Sequence, residues 1–245
     1  MIRVMIVEDE PASARFLTQL LETRCRGVQV AALAEDGQAA IKTLKNTMVD
    51  IVITDIQMSP MDGLRLAGWI KENMPDIDTL IVSGHNDFEY AKGAISSGVA
   101  EYLLKPIRPS EFSSVMEKLI VKVRQRKREK CEEWLIRGLN PGSNEQSPFP
   151  CQCGATLGAV RLGGVSGGTR MPARKFEYPS DCPESLAAVY AREGYEVCFA
   201  LPVQDSVDIE GLVSVIARDA AYFTAFYNTI PYGGSSGCLP DMLDK

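Results

Sequence analysis

Short apolar runs rich in β-branched residues alternate with amphipathic stretches from residue 2 to about 120. The runs predict five β-strands, at 2–7, 28–33, 50–55, 79–83 and 100–104. Apolar spacing predicts helices between them near 11–24, 36–47, 62–74 and 87–97, and a fifth after Pro109. Strands that alternate with helices pair in parallel, so we expect an α/β domain whose central parallel five-stranded sheet is covered on both faces.

The fifth predicted helix outgrows this first domain. Its apolar residues, from Phe112 to Leu135, are spaced three, four or eight apart with no Pro or Gly between them, which predicts a helix from Ser110 to about Arg137. Residues 138–150 are rich in Pro, Gly, Ser and Asn, as is typical of a linker. We therefore predict a first domain at 1–122, an extended helix and linker at 123–150, and a smaller domain at 151–245.

The pattern of the smaller domain is less regular and indicates an α+β fold. We predict strands at 155–162 and 196–203, helices at 182–193 and 208–227, and a Gly-rich loop at 163–169. The last helix has Arg218 as its only cation and ends in four aromatic residues, Tyr222, Phe223, Phe226 and Tyr227. Such a surface suits packing or a protein partner better than a phosphate backbone.

Composition and charge narrow the class of protein. The 245 residues are 45% hydrophobic and 24% charged, which is ordinary for a soluble globular protein, and the net charge of −6 disfavours nucleic-acid binding through the overall field. The basic stretch Lys122–Lys130 is interpreted as a solvated helix face. No run of about 18 apolar residues and no signal peptide occurs, so we expect a cytoplasmic protein without membrane contact.

Acidic residues follow two of the predicted strands. Glu8 and Asp9 come directly after strand 2–7, and Asp55 ends strand 50–55. Because the carboxyl ends of parallel strands meet at one edge of a sheet, three carboxylates converge there if the two strands are neighbours. Their repulsion calls for a cation, and an open site with only oxygen ligands favours Mg²⁺.

Ser83 and Lys105 occupy two further strand ends. A hydroxyl and an ammonium beside Mg²⁺ can spread the charge of a transferring phosphoryl group. A carboxylate can itself be the nucleophile, and Asp55 is the candidate because it is the sole acid ending its apolar run. Taken alone, Glu8 and Asp9 have another interpretation, as acids that favour the dipole of the helix starting at Pro11.

With these residues in place, residues 1 to about 122 resemble the receiver domain of two-component response regulators. The matching motifs are Glu8-Asp9, Asp55 in DIQMSPMDG, Ser83, Tyr102 and Lys105-Pro106. The resemblance implies a flavodoxin-like (βα)5 fold and phosphoryl transfer from a sensor histidine kinase to Asp55. Two departures occur: Glu8 stands where Asp is commoner, and the proline after the acceptor lies one place later, at Pro60. Neither removes a ligand.

The resemblance also assigns roles to single residues. Mg²⁺ is expected on Asp9, Asp55 and the backbone carbonyl of Gln57, with Glu8 acting largely through water. Lys105 is expected to pair with the phosphate, and the Lys105-Pro106 peptide bond to be cis.

Signalling is expected to follow from the same residues. A phosphoryl group on Asp55 draws in the Ser83 hydroxyl, and Tyr102 turns inward. The changed face comprises the helix near 87–97, the fifth strand and the helix after Pro109, so we expect a phosphorylation-dependent homodimer. The chain is not expected to be an enzyme, only a phosphoryl acceptor with at most slow self-dephosphorylation.

The output of the protein stays open between two classes. Residues 83–112 most resemble regulators that carry an intervening domain and a C-terminal AraC-type helix-turn-helix module, which implies control of transcription. Nothing after residue 205 has the pattern of two helices joined by a short turn, so we expect that module to be missing from this chain. The alternative is a regulator that acts through protein contacts of its second domain, without binding DNA.

Overall fold

The computed structural model describes residues 1–84, 99–139, 155–162, 174–178, 182–183, 186–191, 196–202, 207–218 and 223–230. The chain divides into two compact units, Met1–Val123 and Arg124–Lys245. The predicted helix at 87–97, the Gly-rich loop at 163–169 and most of the predicted linker lie outside the described residues. No helix in the described ranges is both long and apolar enough to cross a lipid bilayer.

The first unit is built on the predicted parallel sheet. Its strands are β1 (Ile2–Val7), β2 (Val28–Ala34), β3 (Ile51–Thr54), β4 (Asp78–Ser83) and β5 (Glu101–Leu104). They pair in the order β2-β1-β3-β4-β5, and every pair is parallel. This order is that of flavodoxin-like folds, whose chain reverses direction across the sheet between β1 and β3. The predicted fold class of the first domain is confirmed.

Helices cover both faces of this sheet. They are α1 (Pro11–Arg24), α2 (Gly37–Leu44), α3 (Gly63–Asn73) and α4 (Pro109–Leu139). Alternate residues of β1 divide the core, because successive side chains of a strand point to opposite faces. Val4 and Ile6 pack in the cluster that contains residues of α1 and α4, whereas Met5 and Val7 pack with residues of α2 and α3.

The described part of the second unit is an antiparallel sheet with a helix on each face. Its strands are β6 (Ala155–Leu162), β7 (Arg174–Lys175), β8 (Ala187–Ala191), β9 (Glu196–Pro202) and β10 (Phe223–Ile230), in the order β10-β6-β9-β8-β7. On one face pack Cys131, Trp134, Leu135 and Leu139 from the second half of α4. On the other pack Leu212, Val213 and Ile216 of α5 (Ile209–Ile216).

Two predictions for the second domain were wrong. The helix expected at 182–193 is strand β8, and the helix expected at 208–227 ends at Ile216 and is followed by strand β10. β8 has Ala187 and Val189 on one buried face and Ala188 on the other. Both faces are therefore apolar, so no alternation with polar residues marks the strand in the sequence. In the second case, the β-branched and aromatic residues after Ala221 favoured a strand over a helix.

Candidate functional site

Four strand ends of the first sheet meet at one rim. Glu8, Asp55 and Lys105 are each the first residue after a strand, and Ser83 is the last residue of β4. The three residues that follow a strand continue its hydrogen bonding to the neighbouring strand by one residue. Glu8 N–H donates to the Ala34 carbonyl at 3.0 Å, Asp55 N–H to the Val7 carbonyl at 3.1 Å, and Lys105 N–H to the Ser83 carbonyl at 2.8 Å. The sheet itself thus holds these side chains in place.

Lys105 lies between two carboxylates. Its Nζ donates to Asp55 Oδ2 at 2.6 Å and to Glu8 Oε2 at 3.0 Å. The Glu8 side chain is almost entirely buried, with 1% of its area exposed, whereas Lys105 keeps 27% and Asp55 13%. The repulsion expected between Glu8 and Asp55 is therefore relieved by an ammonium of the chain itself.

Asp55 is held from several sides. Its Oδ1 accepts hydrogen bonds from the backbone N–H groups of Ile56 at 2.5 Å and Gln57 at 3.4 Å. Its backbone carbonyl accepts from the buried Thr54 hydroxyl at 2.8 Å. A Cβ at Gly63 would lie 1.9 Å from that carbonyl oxygen, so only glycine fits there. Both oxygens of the carboxylate are thereby oriented before any ligand arrives.

For both Glu8 and Lys105, burial and the neighbouring opposite charges shift the pKa in opposite directions. Burial raises the pKa of the Glu8 carboxyl, and the hydrogen bond from Lys105 opposes that rise only in part. Burial lowers the pKa of Lys105, but hydrogen bonds to Asp55 and Glu8 outweigh it and leave that pKa raised. The outcomes differ because Glu8 is the more buried and has one cation, whereas Lys105 faces two carboxylates. Lys105 is therefore a stable ammonium at neutral pH.

The predicted magnesium ligands are only partly gathered. Asp9 and Gln57 are exposed beside the rim, and the described residues contain no group of three His, Cys, Asp or Glu side chains close enough to share a metal ion. Mg²⁺ takes one or two carboxylates directly and keeps several waters, so it does not require three. The donors next to Asp55 are carboxylate and carbonyl oxygens, which are of the kind that this ion prefers.

The remaining predicted residues lie on β4, on β5 and directly after β5. Ser83 is fully buried at the end of β4. Tyr102 is half-buried on β5 and packs against the cluster of Ile56 and Ile81. The Lys105-Pro106 peptide bond is cis, as the resemblance implies, and so is Ser59-Pro60, which was not predicted.

A cavity of about 240 Å³ opens beside Lys105. It is lined by Ser13, Phe16, Leu17, Lys105, Pro106 and Ile107. Phe16 is 43% exposed, so the mouth of the cavity carries an aromatic ring that is available to another molecule.

Two residues that hold the backbone of Asp55 in place, Thr54 and Gly63, were not predicted from the sequence. Thr54 was assigned only to the strand, and Gly63 was not singled out. A signal for Gly63 was present, because Asp62 followed by Gly at the start of a helix indicates a cap and a close backbone approach. Asp62 does cap α3, accepting from the Arg65 N–H at 2.7 Å.

Known proteins resemble the first unit. Residues 4–117 match the family model described as "Response regulator receiver domain". Among curated relatives, the "Uncharacterized transcriptional regulatory protein YesN" of Bacillus subtilis is 30% identical over 125 residues, which are 51% of this chain and 34% of that protein. The "Probable C4-dicarboxylate response regulator DctR" of the same organism is 28% identical over 47% of this chain and 51% of its own length.

A solved structure also matches about half of the chain. The response regulatory domain of protein mrkE from Klebsiella pneumoniae is 27% identical, with a TM-score of 0.48, and the match covers 51% of this chain and 99% of that one. The chain thus spans about half, or less, of the length of the two curated relatives. Residues 4–117, which match the family model, include the rim residues.

Proposed function

We infer that this chain, whose residues 4–117 are a response regulator receiver domain, accepts a phosphoryl group on Asp55 from a sensor histidine kinase of a two-component system. The observation that carries the proposal is the Asp55 carboxylate, held at the rim with Oδ2 2.6 Å from the Lys105 ammonium. A nucleophile, a fixed cation and a hydroxyl at neighbouring strand ends are the parts that phosphoryl transfer needs.

In the proposed reaction, an Asp55 carboxylate oxygen attacks the phosphorus of the kinase phosphohistidine. The P–N bond breaks as the P–O bond forms, and the imidazole leaves with the electron pair. The product is an aspartyl phosphate. Lys105, already an ammonium, pairs with the transferred group, and the Ile56 and Gln57 amides keep the carboxylate oriented.

Mg²⁺ is part of this proposal. Asp9, Asp55 and the backbone carbonyl of Gln57 would hold it, with Glu8 acting through water. When bound, the ion supplies positive charge that stabilises the developing charge on the phosphoryl oxygens. The ion pair of Glu8 with Lys105 at 3.0 Å supports a role of Glu8 in orienting Lys105 rather than in binding the metal ion directly.

The partner and the reaction class follow from the same site. The cavity beside Lys105 and the exposed Phe16 offer a kinase domain a contact next to the acceptor. We propose that the chain works in the cytoplasm and is a phosphoryl acceptor with at most slow self-dephosphorylation, not a turnover enzyme.

The proposed switch uses Ser83 and Tyr102. Phosphorylation draws the Ser83 hydroxyl toward the phosphate, and Tyr102, which is half-buried, turns further in. The altered face then favours a homodimer. A phosphoryl mimic such as beryllofluoride should tighten self-association of the wild type in sedimentation and leave Asp55→Asn unchanged; equal association of both would contradict the switch.

For the output we propose transcriptional control as the role of the pathway, since one of the relatives, YesN, is named a transcriptional regulatory protein. A second candidate, action through protein contacts, is favoured by the second unit. In its described residues, an antiparallel sheet lies between the second half of α4 and helix α5, and no pair of helices joined by a short turn occurs. A DNA-shift assay with the full chain separates the two: tight, salt-sensitive binding would rule out the second candidate.

The phosphorylation experiment uses labelled acetyl phosphate with Mg²⁺. Wild type should be labelled, and Asp55→Asn should not. Glu10→Gln is the matched control, because the exposed Glu10 side chain accepts from the Ser13 hydroxyl, and only the backbone N–H of Glu10, which the substitution keeps, reaches Glu8 at 3.4 Å. It should label like wild type. Lys105→Ala should label slowly. Equal labelling of wild type and Asp55→Asn would sink the proposal.

A further inference from the structure

The two edges of the second sheet are built differently. At one edge β7 has only two residues, Arg174 and Lys175, which pair with Tyr190 and Val189 of β8. A very short, charged edge strand is one of the ways in which proteins prevent pairing with another chain. This edge is therefore protected by its length and by its charge.

A side chain continues the protection beyond β7. The Ala188 N–H of β8 donates to the Tyr178 hydroxyl at 2.8 Å, and that hydroxyl donates to the buried Glu132 carboxylate at 2.6 Å. The Arg128 guanidinium lies 4.6 Å from the centre of the Tyr178 ring. The hydroxyl thus takes the place of a neighbouring strand at Ala188.

At the opposite edge, the described residues show neither device. β10 is eight residues long, with the sequence FTAFYNTI, which contains no charged residue, proline or glycine. All eight residues pair with β6, and no other strand among the described residues pairs with β10. A strand has hydrogen-bonding groups on both sides, so a long, uncharged, aromatic and β-branched edge is a template for another strand.

We propose that the outer edge of β10 pairs antiparallel with β10 of a second copy, which joins two sheets across a two-fold axis. A strand without charges meets no like-charge repulsion when it faces itself, and aromatic and β-branched residues are the types that favour pairing in a sheet. Because the β7 edge is protected, head-to-tail addition is blocked and the contact closes as a dimer. This contact does not depend on phosphorylation of Asp55.

The test uses the full chain with Asp55→Asn and no phosphodonor, so that phosphorylation cannot contribute. Sedimentation velocity over a dilution series should show a dimer. Tyr227, 51% exposed near the middle of β10, is changed to Lys. Two ammonium groups then approach each other in each dimer, and the dimer dissociation constant should rise roughly tenfold or more.

Leu33→Lys is the matched control, because Leu33 is a 58% exposed apolar residue on β2, the edge strand of the other sheet. It should leave the dimer unchanged. A monomeric Asp55→Asn chain at its highest soluble concentration would overturn the proposal, and so would equal weakening by both lysines.

Hydrogen exchange keeps the proposal testable if Tyr227→Lys fails to fold. Amides of residues 223–230 in the Asp55→Asn chain should exchange faster on dilution, as the dimer dissociates. Protection that does not change with concentration would mean that another segment of the same chain covers β10, which would overturn the proposal.

Discussion

The molecule contains two five-stranded sheets that differ in what their strand ends can do. In the first, all strands are parallel, so Glu8, Asp55, Ser83 and Lys105 leave the sheet at one rim. In the second, all described neighbours are antiparallel, so strand ends alternate between the two rims. A parallel sheet therefore gathers side chains from residues far apart in the chain, whereas the antiparallel sheet offers its faces and edges.

The use of polar groups follows this difference. The first sheet places its buried Glu8 and Ser83 at the rim where a ligand can reach. In the second sheet, the buried Glu196 pairs with Arg161 at 2.9 Å across neighbouring strands. Buried polar groups of the first sheet are therefore placed to meet a ligand, whereas this pair of the second sheet is satisfied within the sheet.

The largest expected effects come from removing one large buried side chain from the core of each unit. Both side chains lie on α4. Phe112 and Trp134 of α4 are 0% and 4% exposed and belong to different core clusters. Replacing either with Ala should lower the free energy of unfolding of its own unit by about 3–5 kcal/mol. Hydrogen exchange by segment measures this effect.

The pair of variants also tests the assignment of chemistry. Trp134→Ala should keep labelling of Asp55 by acetyl phosphate, whereas Phe112→Ala should lose labelling at a lower temperature than wild type, because its destabilised first unit unfolds earlier. If Trp134→Ala abolished labelling in a chain whose first unit stayed protected from exchange, chemistry would not be confined to the first unit.

A glycine pair in α3 tests how tightly the first unit holds its acceptor. A Cβ at Gly63 would lie 1.9 Å from the Asp55 carbonyl oxygen, so Gly63→Ala should displace that backbone and cost about 3 kcal/mol, at the upper end for overpacking. Labelling of Asp55 should fall as well. Gly68 has no atom within 4 Å of such a Cβ, so Gly68→Ala should stabilise the helix by about 0.5–1 kcal/mol.

Thermal unfolding measures the stability of the Gly63→Ala and Gly68→Ala variants, and acetyl phosphate measures their labelling. If Gly63→Ala equalled wild type in stability and labelling, the backbone before α3 would shift at little cost to make room for the added methyl group. The rim would then be less rigid than the contacts indicate.

The first sheet could be predicted from the sequence because its pattern is repeated and its chemistry lies at strand ends. Asp55, Ser83 and Lys105 each follow an apolar run, and parallel pairing brings such positions together. The direct contact of Lys105 with Glu8 could not be predicted, since it depends on how far two side chains reach across the rim.

In the second sheet, the predicted strands 155–162 and 196–203 are β6 and β9, but β8 and β10 were predicted as helices, for a physical reason. Strand β8 is buried on both faces, and its residues Ala187, Ala188 and Val189 carry no polar alternation that distinguishes a strand from a helix. Alanine also favours helices, so local propensity opposed the tertiary outcome. The role of Tyr178 was equally invisible, because its hydroxyl replaces a strand partner at Ala188, ten residues along the chain.

Removing the Tyr178 hydroxyl tests whether the β7 edge of the second sheet is protected and the β10 edge is not. Tyr178→Phe deletes the donor to the buried Glu132 and the acceptor for the Ala188 N–H. The free energy of unfolding should fall by about 1.5 kcal/mol, because both groups lose a partner in a buried place. Tyr227→Phe, on the exposed side chain of β10, should change it by less than about 0.5 kcal/mol.

Chemical denaturation of both variants gives the measurement. An unchanged midpoint for Tyr178→Phe would contradict the assigned role of the hydroxyl and weaken the claim that the β7 edge is the protected one.

The smallest expected effect is a pH dependence confined to the rim of the first unit. Burial raises the pKa of Glu8 above its ordinary value of 4.5 in the folded chain, so the folded state keeps this proton after the unfolded state has released it. The stability of wild type relative to Glu8→Gln, measured without divalent cations, should therefore fall as pH rises from 4.5 and level off above the raised pKa. Below 4.5 both states are protonated and the difference should be flat. If the stability of wild type relative to Glu8→Gln rose with pH, the ion pair with Lys105 would outweigh the effect of burial on Glu8. The charged form of Glu8 would then stabilise the folded state.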